Sequence, residues 1–142
     1  IPSGNALAAE ALLKLDALTG SADYRRQAEE TLSLVSEFAG MYPTAFAQWL
    51  SGADFALHNV TQIGVAGDLG RDETKALLTE IRSSYRPNTV VAASPFPIPE
   101  DAPELLQNRK LKNDLPTAYV CEGFACKLPV NTVEALKEQL EH

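Results

Sequence analysis

Apolar residues recur at helical spacing through the first third of the chain. Across residues 5–18, Leu7, Ala8, Ala11, Leu12, Leu15 and Leu18 fall on one face with Glu10 and Lys14 opposite, which predicts a helix. Ser3 or Asn5 is placed to cap its start, and Gly20 to take the left-handed turn after its end. Ser21 then opens a second helix, predicted over residues 22–39. Its stripe is Tyr24, Ala28, Leu32, Val35, Phe38 and Ala39, with Arg25, Arg26, Glu29 and Glu30 toward water. The connection is so short that the two helices must run antiparallel. Pro43-Thr44 starts a third helix carrying Phe46, Trp49, Leu50, Ala53 and Leu57 on one face.

The pattern changes after His58. Residues 60–66 are a short β-rich run, residues 72–85 read as a helix, and residues 89–93 as a second buried strand. Strand, helix and strand at this spacing predict a right-handed parallel crossover. Residues 94–116 contain Pro95, Pro97, Pro99, Pro103 and Pro116 and read as a loop, with one helical turn near Leu105-Leu106. Residues 117–121 and 125–128 read as hairpin strands around Gly123-Phe124. A final helix, capped by Asn131 or Thr132, carries Val133, Leu136 and Leu140. The predicted fold is mixed α+β, with a helical unit over residues 1–58 and a small α/β unit over residues 59–139. The ending Leu140-Glu141-His142 reads as an expression-tag remnant, and the start at Ile1 as an internal cut, so a piece of a longer protein is expected. No internal repeat is visible, which weakens a tetratricopeptide-type scaffold reading.

Charge narrows the partners. Twelve Lys+Arg against nineteen Asp+Glu give a net charge of −7 over 142 residues, and no basic cluster is present. Nucleic acid and anionic membranes are therefore excluded as expected partners. No apolar run approaches the roughly 18 residues of a membrane span. Without a signal-peptide pattern, the expected location is cytoplasmic.

Three stretches together resemble one family. They are Pro2-Ser3-Gly4-Asn5 opening a helix, the residues from Leu18 to Arg25 between two helices, and the block Cys121-Glu122-Gly123-Phe124-Ala125-Cys126-Lys127-Leu128-Pro129 with Ala118-Tyr119-Val120 before it. This chain resembles the C-terminal portion of the spermatogenesis-associated-protein-20-like proteins. The resemblance implies an N-terminal thioredoxin-like domain and an α/α toroid similar to N-acylglucosamine 2-epimerases and six-hairpin glycosidases. Residues 1–58 would be the end of that toroid, and the rest of the full-length chain would be the main partner. Gly123 stands where the family is expected to carry Asn.

Cys121 and Cys126 are the only cysteines. With Gly123-Phe124 as a two-residue turn, Glu122 pairs with Ala125, and Cys121 faces Cys126 with β-carbons roughly 4.5–5.5 Å apart. A disulfide needs about 3.8 Å, and closing so short a loop contributes only about 2 kcal/mol. The pair reads either as a bridge able to exchange with a thioredoxin-like domain, or as two packed thiols. Zinc is not expected, because beyond these two only His58 is a natural nitrogen donor.

Gly64, Gly67 and Gly70 suggest a phosphate loop, but the Gly-Lys-Ser/Thr and Gly-x-Gly-x-x-Gly fingerprints are absent. Asp68, Asp72 and Glu73 would repel an anion there and read as a helix cap and first-turn acids. Ser3, Gly4 and Asn5 are candidate toroid-mouth residues, with helix capping as the competing reading. Asp54 is a further candidate, although a lone carboxylate lacks the second acid that glycoside hydrolysis needs. His58 is expected at a helix C-terminus, and Trp49 and Phe46 in the core. Asn59-Val60-Thr61 matches a glycosylation acceptor but begins a strand.

The expected role is a non-catalytic structural or interaction segment of a thioredoxin domain-containing protein, with a secondary thiol pair and no cofactor or metal. The alternative is one wall of a carbohydrate-active toroid enzyme. The chain alone is expected to be inactive and, through an exposed helical face, able to self-associate.

Overall fold

The computed structural model describes residues 3–141. Among them are six α-helices, one 3-10 turn and a four-stranded mixed sheet, so the α+β expectation holds. Helix α1 (Gly4–Thr19) ends at Gly20, whose φ of 71° lets its N–H reach the Asp16 carbonyl. Helix α2 (Ala22–Ser33) returns antiparallel to it.

The second predicted helix breaks. It stops at Ser33 and resumes as α3 (Ser36–Met41). The Ser33 hydroxyl bonds the Glu30 carbonyl and the Ser36 hydroxyl bonds that of Ser33, so side chains compete locally with the helical ladder. Helix α4 (Ala47–Leu57) starts later than Pro43, because tight bonds from Ala45 to Tyr42 and from Phe46 to Pro43 make residues 43–46 a turn. Ser3 and Ser21 occupy N-cap positions without making a side-chain cap bond.

The parallel strand–helix–strand unit forms. Strand β1 (Thr61–Ala66), helix α5 (Asp72–Arg82) and strand β2 (Thr89–Ser94) make a β-α-β unit, with Thr61 opposite Thr89 in parallel register. A 3-10 turn (Glu104–Leu106) buries Leu105 and Leu106. Strand β3 (Thr117–Glu122) lies antiparallel on the other side of β1, and β4 (Ala125–Cys126) pairs with β3. The order across the sheet is β2-β1-β3-β4. Strand β4 ends at Cys126 rather than at residue 128: Leu128 stands 82% exposed and Pro129 has no N–H to donate. Beyond the Lys127 N–H bond to the Val120 carbonyl, the pairing resumes only as a bridge between Ala118 and Val130. Helix α6 (Val133–Glu141) closes the fold, with the Thr132 hydroxyl accepting the Ala135 N–H as a cap.

The sheet is covered on both faces. Ala9, Leu13, Ala17, Ala28 and Phe55 from the helices pack with Val90, Leu105 and Cys121 on one face. Ile63, Val65, Ala118 and Val120 on the other face pack against Leu77 and Ile81 of α5 and Leu136 of α6. The helical part thus docks on the same sheet that α5 and α6 back.

The face that α1 buries differs from the expected one. Ala6, Ala9, Leu13 and Ala17 are buried, while Leu7, Ala8, Ala11 and Leu15 are exposed. This helix is apolar nearly all round, so periodicity does not choose its inner face. Small side chains choose it, because alanines permit close approach to α2, α4 and the sheet.

Candidate functional site

The hairpin site is built by a tight turn. Gly123 and Phe124 have φ of 54° and 64°, the positive values that a type I′ hairpin loop requires at both central positions. This sets Glu122 opposite Ala125 and Cys121 opposite Cys126, the register expected from the spacing. Their sulfurs are bonded at 2.03 Å, with Cα atoms 3.9 Å apart. The two cysteines are thus bridged in this structure. Cys121 is 1% exposed and belongs to the core, whereas Cys126 is half-buried at its edge.

Two neighbours complete the surroundings of this bridge, and only Arg109 carries no sequence signal. Arg109 reaches it from the loop after the 3-10 turn, with Nη2 3.9 Å from Cys121 Sγ. Its Nε donates to the Leu105 carbonyl at 3.0 Å, and its guanidinium lies 5.0 Å from the centre of the Tyr119 ring. Tyr119 is itself held, its hydroxyl donating to the Lys110 carbonyl at 2.6 Å and accepting the Lys110 N–H at 3.0 Å. The alternation of β3 puts Tyr119 on the Cys121 face, which was readable; the arrival of Arg109 depends on the path of the loop.

Asp54 lines a separate groove of about 900 Å³ between α1, α4 and residues 85–89. Its carboxylate accepts from Asn88 Nδ2 at 3.1 Å and lies 3.1 Å from His58 Nδ1, which is itself 2.9 Å from the Asp54 carbonyl oxygen. Glu10 lines the same groove, accepting from Lys14 Nζ at 2.6 Å and from the Gln48 side-chain amide. Tyr85, Arg86 and Asn88 also line the groove, and Arg86 Nη1 is buried without a hydrogen-bond partner. Ser3, Gly4 and Asn5 are exposed at the start of α1 and do not line this groove, so they and Asp54 are not brought together. Pro2, the first residue of their motif, lies outside the described residues.

The remaining candidates have structural positions. A side chain at Gly64 would crowd the Leu105 carbonyl, and one at Gly67 would collide with Pro116. The Gly70 N–H bonds Asp68 Oδ1, and Asp72 and Glu73 occupy the first turn of α5. The three glycines therefore serve close packing and a turn, and Asp68 closes that turn rather than capping α5. Trp49 lies along an apolar groove between α2, α3 and α4 with Leu32, Leu50 and Leu57. Among the described residues, no group of three His, Cys, Asp or Glu could hold a metal ion. No helix of the described residues is long and apolar enough to cross a membrane.

No family model matches the chain, and no solved structure matches it. Among curated proteins, it is 32% identical over 98% of its length to spermatogenesis-associated protein 20 of Homo sapiens. The proteins of the same name from Rattus norvegicus and Mus musculus are each 30% identical over 98% of this chain. The chain spans only 18% of the length of these relatives, consistent with a C-terminal part. The resemblance read from the hairpin block and the helical motif is shown: over nearly its whole length, this chain matches one part of a spermatogenesis-associated-protein-20-like protein.

Proposed function

We propose that this chain is a non-catalytic structural and interaction segment of a longer, thioredoxin domain-containing protein. Its helical layer docks against the rest of the same polypeptide. One observation carries the reading: the helical layer leaves large apolar side chains in water on its outer side. Leu7 and Leu15 are exposed on α1, and Leu34, Phe38, Met41, Tyr42 and Leu57 are exposed around α2, α3 and α4, Leu34 at 79% and Leu57 at 84%. Such faces are the ones neighbouring helical hairpins cover in an α/α toroid, the architecture the resemblance implies for the longer protein. The relatives' length leaves ample chain to do so.

Carbene footprinting with mass spectrometry tests this by comparing the full-length protein with the segment alone. Leu15, Leu34 and Leu57 are expected to be labelled several-fold less in the full-length protein. Equal labelling in both would overturn the docking role. Sedimentation of the segment separates self-association from docking within the chain.

A second reading is favoured by the groove beside Asp54, in which Gln48, Asn88 and exposed Tyr85 offer amide groups and an aromatic ring. There the segment would form one wall of a carbohydrate cavity. Glu10 is engaged by Lys14 and Gln48, so the two carboxylates do not form a free acid–base pair. Saccharide turnover by the full-length protein that disappears in Asp54→Asn would favour this alternative.

A further inference from the structure

We infer that the Cys121–Cys126 bridge is opened by thiolates in one direction only, with Cys126 as the attacked sulfur and Cys121 as the leaving thiolate held by Arg109. The inference rests on reading the pair as an exchangeable disulfide and adds a polarity to it. Three observations meet at this bond. The register places the cysteines directly opposite each other on the two hairpin strands. Cys121 is enclosed by the core while Cys126 is half-buried at its edge, so Cys126 is the more accessible of the two to an incoming sulfur. Arg109 Nη2 lies 3.9 Å from Cys121 Sγ, where negative charge develops as the bond breaks. The guanidinium is held there by the Leu105 carbonyl and the Tyr119 ring, so little reorganisation is needed.

The step balances as a two-electron exchange with small or protein thiols. A thiolate RS⁻ attacks Cys126 Sγ, forming the RS–Sγ bond. The Sγ–Sγ bond breaks, and its electron pair stays on Cys121 as a thiolate beside the Arg109 cation. A second RS⁻ attacks the external sulfur, releasing RS–SR and leaving Cys126 as a thiolate that takes a proton from water. The disulfide is reduced and two thiols are oxidised. A lower-pKa leaving thiol departs faster, so a fixed cation on Cys121 selects the bond's direction.

Reduced glutathione, an acid quench and alkylation of the purified chain test this. Trypsin leaves both cysteines on one peptide, residues 113–127, and fragmentation between them reads which carries glutathione. Glutathione on Cys126 with alkylated Cys121 is the expected product; glutathione predominantly on Cys121 would overturn the polarity. Arg109→Gln is expected to slow opening about tenfold and to lower the equilibrium constant for reduction about tenfold, a shift of about 30 mV. Arg109→Lys, which keeps the charge, should restore most of both. A merely structural role would loosen the hairpin and make reduction easier, the opposite sign, and would overturn the role of Arg109. If glutathione neither opens the bridge nor forms a mixed disulfide, the exchange reading itself fails, separately from its direction.

Discussion

Gln62 holds Phe124. From the buried face of β1, its side-chain Oε1 accepts the Phe124 N–H at 2.8 Å, while its Nε2 donates to the Ala17 carbonyl at 2.6 Å near the end of α1. One amide thus ties the hairpin turn to the helical layer, and the Phe124 ring lies over Gly20, where α1 ends. Gln62→Leu keeps the volume but leaves two backbone groups without partners. It is expected to cost about 2–3 kcal/mol in urea unfolding, more than an average hydrogen bond.

The exposed and buried sides of α1 respond differently to the same truncation. Leu13 is fully enclosed, so Leu13→Ala is expected to cost about 2–5 kcal/mol in the isolated chain. Leu15→Ala should stay within about 0.5 kcal/mol there. Comparable losses from both would place Leu15 in the core and reverse the face assignment.

At the hairpin turn, Gly123 meets nothing within 4 Å of a built β-carbon, so backbone conformation alone limits its replacement. With φ of 54°, Gly123→Val is expected to cost about 1–2 kcal/mol. Gly123→Asn should be nearly neutral, since Asn tolerates this region. Gly67 is limited by space as well as by its φ of 155°. A β-carbon there would stand 2.8 Å from Pro116 Cβ, and Gly67→Ala is expected to cost about 1–3 kcal/mol by overpacking.

The exposed pair of Asp23 and Arg26 on α2 sets an acid limb. The hydrogen bond from Arg26, then that from Gln27, holds the Asp23 carboxyl below its ordinary value of 3.8. A depressed folded pKa contributes stability above the unfolded value, and the contribution is lost as pH falls through the folded one. Asp23→Asn should therefore lower the melting temperature slightly at about pH 7 and not at about pH 2. Added salt should shrink the difference, because both groups lie in water. A difference that persists undiminished at low pH would mean the side chain acts through packing.

Sequence made the sheet legible where local geometry dictates it. A two-residue turn fixes which residues of a hairpin face each other, so Cys121 opposite Cys126 followed from spacing alone. The crossover from β1 to β2 was equally local in its signals. The inner face of α1 was not legible, because alanine and leucine occupy both sides and only the partners decide. The break after Ser33 was hidden in an unbroken apolar stripe. Arg109 was missed because a loop, which no periodicity describes, brings it to Cys121.

The central place of β1 has a consequence for how the chain acquires its structure during synthesis. Helices α1 to α4 emerge first, yet the surface they pack on includes β2, Leu105 and Cys121, all later in the chain. Strand β1 must likewise wait for a neighbour that begins at Thr117. Such long-range closure is slow, and translation at about 5–20 residues per second leaves the nascent helices with unsatisfied inner faces for several seconds. During that interval the apolar surface these helices can bury is the one they offer one another, α1 against α2 and α4.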